Sequence, residues 1–376
     1  SSREVFIQAL QGANRTVYLN VYEFASPALA HVLADTRARG VTVEVLLEGG
    51  PVGGITPEER CSCRIMNRSG IPIYLMQAGE GEHARYRFDH AKYIVIDGTS
   101  VFLTSENFKE SGIPPAGTRG NRGWGVFIRD PRVAEYFTSV YRSDRAGADI
   151  EPYIPGESAA CATGPGEAYT VQFFSAEFSG ASVTPVLAPD TAALIASMIS
   201  DARVSVDIEQ AYITNTSAGT FNPYLAAAVG AARRGVTVRV LLDSYSYNVE
   251  DTEDNDEMAM TINDLAKREG LPLEARCADL PRSGIEKIHN KGVIVDRKLT
   301  LVSSINWNDN SPNFNREAGV IIDHPGAAAY YSLVFEDDWD AGSAPLGSEG
   351  MDFLKMAMLA AVILGLILLF ILRRRW

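Results

Sequence analysis

The sequence predicts an α/β protein of two similar α/β/α lobes, formed by internal duplication, with a pseudo-two-fold active site and a C-terminal transmembrane helix. Three observations carry this reading: the chain repeats itself, its apolar periodicity alternates between helix and strand, and it ends on a long apolar run. Arg39-Gly-Val-Thr-Val-Glu-Val-Leu-Leu-Glu48 recurs as Arg234-Gly-Val-Thr-Val-Arg-Val-Leu-Leu-Asp243. His90-Ala-Lys92-Tyr-Ile-Val-Ile-Asp97 recurs as His289-Asn-Lys291-Gly-Val-Ile-Val-Asp296, and Asn107 maps onto Asn306 at the same offset. Asn121-Arg-Gly-Trp-Gly-Val126 recurs as Asn315-Arg-Glu-Ala-Gly-Val320. Four matches in one order at a nearly constant offset mark two related halves.

Each half reads the same way. An apolar-periodic helix (about 3–12 and 190–202) precedes a strand (16–24 and 204–213). An Ala-rich helix (27–38 and 223–233) stops at Arg-Gly, and a second strand follows. Further strands fall at 71–76 and 273–276, at 93–96 and 292–295, at 101–104 and 300–303, and at 125–128 and 319–322. A helix closes each half, near 131–142 and 325–337. The halves span 1–155 and 190–340. The segment 156–189 reads as linker and loops, because 156–166 and 179–189 are rich in Gly, Ala, Ser and Pro. Alternating strands and helices call for sheets covered by helices.

The apolar run 356–372, extended to 353–372 with Lys355 at the interface, spans a bilayer core and is followed by three arginines. It is expected to anchor the chain by a single pass, joined to the body by a juxtamembrane linker at 341–352. The arginines belong on the cytoplasmic side, which puts the globular part outside the cytoplasm. A net charge of −13 argues against a nucleic-acid backbone as the main partner, since such binding rests on clustered Lys and Arg. A basic groove built from 282–291 or 119–122 would leave that reading open. Four cysteines, 61, 63, 161 and 277, form no C-x-x-C; disulfides are compatible with an outside location, with no pairing deducible. The acidic run 250–257 lacks the Gly and Glu of a calcium loop and reads as a solvated loop.

The chemistry lies in the duplicated H-x-K motif. On a strand, residues i and i+2 share a face, so His90 with Lys92 and His289 with Lys291 each present an imidazole and an ammonium together. Gathered at one site, two His and two Lys suit an anionic phosphodiester. The lysines hold the non-bridging oxygens; one imidazole attacks phosphorus while the other protonates the leaving group. The set needs neither metal nor cofactor, and both motifs in one chain make an oligomer unnecessary. Asp97 and Asp296 follow their His by an odd number of residues and fall at the turn to the next strand, in a structural or orienting role. Asn107 and Asn306 end that next strand, where an amide reaches phosphate.

H-x-K-x(4)-D with an Asn ten residues beyond the Asp, present twice, resembles the phospholipase D superfamily over roughly residues 1–340. The resemblance implies a two-lobed fold with one site at the lobe interface and a phosphohistidine intermediate. It also implies hydrolysis of phosphodiesters, above all phospholipids, or their transfer to alcohols. Nucleases of DNA or RNA share the motif, and a catalytically inactive binding protein would keep the fold. By this resemblance His90 is the nucleophile and His289 the general acid/base; Lys92, Lys291, Asn107 and Asn306 bind phosphate. The family often carries a Glu beside the imidazole, which the second half supplies as Glu317 and the first replaces by Gly123. Glu317 is therefore expected to orient His289, leaving Asp89 or Glu110 for His90, and the roles of the two histidines open to exchange.

Overall fold

The computed structural model describes residues 2–77, 84–156, 161, 164, 166–249 and 254–343. In the first lobe, α1 (Ser2–Gln11) leads to β1 (Thr16–Val21), the short β2 (Phe24–Ala25), α2 (Pro27–Ala38) and β3 (Thr42–Glu48). Next come α3 (Pro57–Arg68), β4 (Ile73–Met76), β5 (Lys92–Ile96), β6 (Ser100–Thr104) and the short β7 (Phe108–Lys109). The lobe closes with β8 (Gly125–Arg129), α4 (Pro131–Arg145) and β9 (Ile150–Pro152). The second lobe opens on β10 (Ser182–Ala188), α5 (Ala193–Ser200), β11 (Ser205–Gln210), α6 (Pro223–Arg233) and β12 (Thr237–Leu242). It continues through α7 (Asn255–Glu269), β13 (Leu273–Cys277), α8 (Leu280–Ser283), β14 (Lys291–Val295) and β15 (Leu299–Ser303). It ends with α9 (Ser311–Phe314), β16 (Glu317–Asp323) and α10 (Pro325–Ala341).

Each lobe holds a seven-stranded mixed sheet. The orders are β8-β6-β5-β1-β3-β4-β9 and β10-β16-β15-β14-β11-β12-β13. Six strands correspond one to one, and each lobe adds its own edge strand at the opposite end. The repeated Arg-Gly stop has a conformational reason: Gly40 and Gly235 sit at φ +90° and +91°, which ends the Ala-rich helix before the next strand. The helix starts are encoded as well. Ser26, Asp130 and Asn222 cap α2, α4 and α6 through their side chains, each followed by Pro in the first turn.

Two expectations are corrected. The Ser/Pro-containing segment 182–188, read as loop, is an edge strand pairing antiparallel with β16 from Ser182–Asp323 to Ala188–Glu317. Pro185 is tolerated there because an edge strand has no neighbour on its other side. The end of the acidic run is not loop either: Asp256 and Glu257 lie in the first turn of α7, where acidic groups suit the positive helix end. Residues 250–253 lie outside the described ones, as does the expected transmembrane segment 353–372. Among the described residues no helix is long and apolar enough to cross a membrane. Cys61 on α3 is disulfide-bonded to Cys161, while Cys63 and Cys277 are free thiols.

Each lobe has its own core on one face of its sheet. A third core joins them. It takes Tyr93, Leu103, Trp124 and Phe137 from the first lobe, and Ile294, Val302, Phe335 and Trp339 from the second. Burying these faces against each other fixes the relative position of the two H-x-K motifs.

Candidate active site

Two short parallel pairings stitch the lobes together, Asp89 beside Arg316 and Arg122 beside Ile288. The His90 amide donates to the Arg316 carbonyl at 2.8 Å, and the Arg316 amide to the Phe88 carbonyl at 2.9 Å. The equivalent bonds run from the His289 amide to the Arg122 carbonyl at 2.9 Å and from the Arg122 amide to the Lys287 carbonyl at 2.8 Å. Each H-x-K histidine therefore lies against the Asn-Arg segment of the opposite lobe. The stitch is reinforced by Arg122 on Asp338 and Arg316 on Asp144, each with its partner on the closing helix of the other lobe.

His90 and His289 stand just before β5 and β14, with Lys92 and Lys291 as the first strand residues. Both lysines are fully buried, and each Nζ donates back to the carbonyl of its own motif histidine, at 2.8 and 2.7 Å. The His90 ring lies 4.7 Å from the Tyr22 ring and Lys92 Nζ lies 5.5 Å from it, so both side chains face Tyr22. The four groups also sense one another electrically. Burial lowers the His90 pKa, Glu317 opposes this, and Lys92 and Lys291 add to it. Burial pushes His289 well down, helped by Lys291, Lys287, Lys92 and His90. Lys92 falls to about 8 by burial against the pull of Glu317 and Glu106; Lys291 is driven well below its ordinary value by burial, with Lys92 adding to the fall. A phosphate anion among these groups would favour their protonated, cationic forms.

Glu317 does not orient His289. Its carboxylate oxygens lie 2.8 and 3.0 Å from Nδ1 of His90, in the other lobe. The reason is the stitch: the residue bonded to the His90 amide is Arg316, so the next side chain along the strand meets the His90 ring. Three more groups donate to this buried carboxylate. They are Ser304 Oγ at 2.6 Å, Asn315 Nδ2 at 3.1 Å and the Ser311 hydroxyl. Burial alone would raise its pKa, but His90, Lys92 and Ser304 outweigh that and hold it below the usual carboxylate range. An ionised Glu317 fixes the Nδ1–H tautomer of His90, which leaves Nε2 with its lone pair free. Neither candidate partner reaches this ring. Glu110 accepts from Ser26 Oγ and Arg3, and the amide of buried Asp89 donates to Glu48.

His289 instead faces Glu106, a residue that the sequence reading passed over, with Nδ1 3.4 Å from Oε1. A signal for it exists: Glu106 stands where the repeat has Ile305, in the half that lacks a Glu at position 123. Asn107 and Asn306 follow β6 and β15 and are nearly buried. Asn107 Nδ2 donates to Glu23 at 3.3 Å, and the amide oxygens of both asparagines have no hydrogen-bond partner. Asp97 and Asp296 stay outside the site. Asp97, at φ +54°, accepts from the amides of Asn14, Arg15 and Thr16; Asp296, at φ +53°, accepts from those of Arg203, Val204 and Ser205. Each clamps the start of the neighbouring strand β1 or β11.

The sequence profile of the family described as cardiolipin synthase, PLD-like domain, matches residues 6–145 and 195–339. No curated protein sequence matches the chain significantly. Among solved structures, phosphatidylserine synthase of Haemophilus influenzae superposes with a TM-score of 0.66 at 14% identity, over 96% of this chain and 92% of that one. Nuc of Salmonella typhimurium, a phospholipase D family member, matches with a TM-score of 0.35 at 24% identity, over 44% of this chain and 97% of its own. NucT of Helicobacter pylori gives 0.35 at 21%, over 44% and 99%. The profile covers both lobes in turn, and the synthase shares the whole two-lobed fold. With its doubled H-x-K motif meeting at one lobe interface, the chain belongs to the phospholipase D superfamily.

Proposed function

We propose that this protein transfers or hydrolyses phosphodiesters, with phospholipids as substrates, through a phosphohistidine on His90. The observation that carries this reading is the pairing of His90 Nδ1 with the ionised, four-times-donated carboxylate of Glu317 beside two buried lysines. His90 Nε2 attacks phosphorus, and the bond from phosphorus to the leaving oxygen breaks. That oxygen keeps the electron pair and takes a proton from Nε2 of His289. Water or an alcohol then gives its proton to His289 and attacks phosphorus; the P–N bond breaks and its electrons return to His90. Lys92 and Lys291 hold the non-bridging oxygens throughout.

Three features favour lipid over nucleic acid. The family profile carries a lipid synthase description, and the structural relative is itself named for a phospholipid product. The side chains near the site include exposed apolar ones: Val52, whose amide donates to Tyr22; Phe314, whose carbonyl accepts from Arg87; and Tyr247, which accepts from Lys287. The apolar run 353–372 would anchor the chain beside a bilayer, with its globular part outside the cytoplasm.

Incubation with labelled phospholipid vesicles and, separately, with single-stranded DNA decides the substrate. We expect headgroup release or exchange onto added alcohol, lost in His90→Ala. Cleavage of DNA alone would replace the lipid reading by a nuclease, and no turnover of either would leave a binding protein.

A further inference from the structure

Gly123 takes the place of Glu317 in the repeat, so the first lobe lacks at that position the carboxylate that the second supplies. A Cβ built on Gly123 would stand 2.4 Å from both Cγ and Oε1 of Glu106. The Glu106 side chain therefore occupies the volume that a side chain at 123 would need. The two glutamate head groups are also held by equivalent residues. Asn121 Nδ2 donates to Glu106 at 2.9 Å, and its repeat partner Asn315 donates to Glu317 at 3.1 Å. Glu106 Oε1 and His289 Nδ1 are both buried, both without a hydrogen-bond partner, and 3.4 Å apart. A slight closure joins them, as catalytic hydrogen bonds of empty sites commonly tighten on binding.

We infer that Glu106 is the positioning residue for His289, doing from the loop after β6 what a glutamate at position 123 would do from the segment before β8. This rests on the phosphodiester reading above. It also makes the two histidines chemically unequal. Glu317, with four donors, locks His90 in one tautomer, as a nucleophile needs. Glu106 keeps one oxygen open and its pKa, raised by burial against Lys291 and Asn121, sits at about 7. Such a carboxyl adapts to an imidazole that must alternate between charged and neutral, as a general acid and base does.

Moving the carboxylate back tests the assignment in the whole chain. Two variants, Glu106→Ile and the double variant Glu106→Ile with Gly123→Glu, are compared on an alkyl phosphodiester and on bis(p-nitrophenyl) phosphate. The first has a poor leaving group that needs an acid; the second does not. We expect Glu106→Ile to lower kcat on the alkyl ester by on the order of 10²-fold or more and on the nitrophenyl ester far less, with most of the loss regained in the double variant. Nitrogen NMR of His289 should show the Nδ1–H tautomer in the wild type and the double variant, and its loss in Glu106→Ile. Equal loss on both esters, or a His289 tautomer indifferent to Glu106, would overturn the inference. If no phosphodiester is turned over by the wild type, the proposed function fails while the tautomer measurement still decides this one. Should the double variant not fold, the isosteric Glu106→Gln must show the same leaving-group split, and an equal fall on both esters again overturns it.

Discussion

The carboxylate of Glu317 belongs to one lobe and the imidazole it grips, 2.8 Å away at His90 Nδ1, belongs to the other. On the proposed mechanism the nucleophile is thus assembled by docking, because neither lobe carries a complete histidine–carboxylate pair. Replacing Glu317 by Gln keeps the volume but removes the charge that steadies the imidazole as bonding to phosphorus makes it cationic. We expect kcat to fall by about 10²–10⁴-fold with KM little changed. Rapid quenching with labelled substrate should show slow phosphorylation, with label on His90. Label on His289 would reverse the assignment of roles.

Lys92 is expected to set the alkaline side of the proposed activity. Its pKa is brought down to about 8 by burial, so the ammonium that meets the phosphate is lost in the free enzyme as pH rises through that value. Burial also drives Lys291 down, against the pull of Glu106. The measured quantity is kcat/KM, which reports the free enzyme; it should decline from about pH 8 upward. Lys92→Arg should lower the plateau yet move this limb upward, since a guanidinium keeps its proton. A profile flat to pH 10 in the wild type would show that Lys92 does not bind the substrate as a cation.

Much of this is readable in the amino-acid sequence, and the mispairings at the site share one cause. Repeat positions on the β-strands and at the Arg-Gly stops copy each other, because both lobes solve the same local problem. Positions at the contact between lobes do not copy; they complement. Gly292 replaces Tyr93 because a Cβ there would lie 2.4 Å from the ring of Trp124, which in turn replaces Ala318. Glu106 replaces Ile305 where Gly123 replaces Glu317. Reading each half against the other finds the first class, including His90, Lys92, Asn107 and their partners. It mispairs Glu317, because sequence spacing speaks for partners within a half and the stitch joins opposite halves. Helices α3 and α7 escaped for a local reason. Each separates a polar from an apolar face, but 57–68 and 255–269 are hydrophilic overall, with few apolar residues among many charged ones.

Asp97 and Asp296 should matter for stability and not for turnover. Each carboxylate accepts from three successive backbone amides and sits in the left-handed region. Alanine at either position leaves those amides to water and adds backbone strain, for a loss of about 1–3 kcal/mol in urea unfolding at neutral pH. In Asp97 the rise from burial, the largest single influence, is outweighed by the amides of Thr16, Asn14 and Arg15 together, so its folded pKa lies below the ordinary value. A depressed carboxylate contributes stability above its unfolded pKa and loses it as pH falls through the folded one. The gap between wild type and Asp97→Ala should therefore shrink below about pH 4. A constant gap down to pH 2 would locate the effect in the backbone alone.

The cross-lobe pairs Arg122–Asp338 and Arg316–Asp144 hold the site together from outside it. Arg122 donates to both oxygens of Asp338 at 2.5 and 3.0 Å, and Asp338 is fully buried. Arg316 makes the matching contacts to Asp144 at 3.0 Å and adds Asp190 at 2.8 Å. Removing one partner strands a buried charge, so Arg122→Ala should cost about 3–5 kcal/mol, far more than an exposed ion pair. The carbonyl of Arg122 accepts from the His289 amide, and that of Arg316 accepts from the His90 amide. Loosening either pair should therefore displace the histidine it braces before the protein unfolds. At temperatures where the fold persists, Arg122→Ala should reduce turnover of a poor leaving group most, since the proposed mechanism has His289 supply its proton. Arg316→Ala should slow phosphorylation of His90 itself, irrespective of leaving group. Activity assays below the unfolding midpoint, with both esters, separate the two; identical profiles would mean that the pairs stabilise the lobe interface without aligning either histidine.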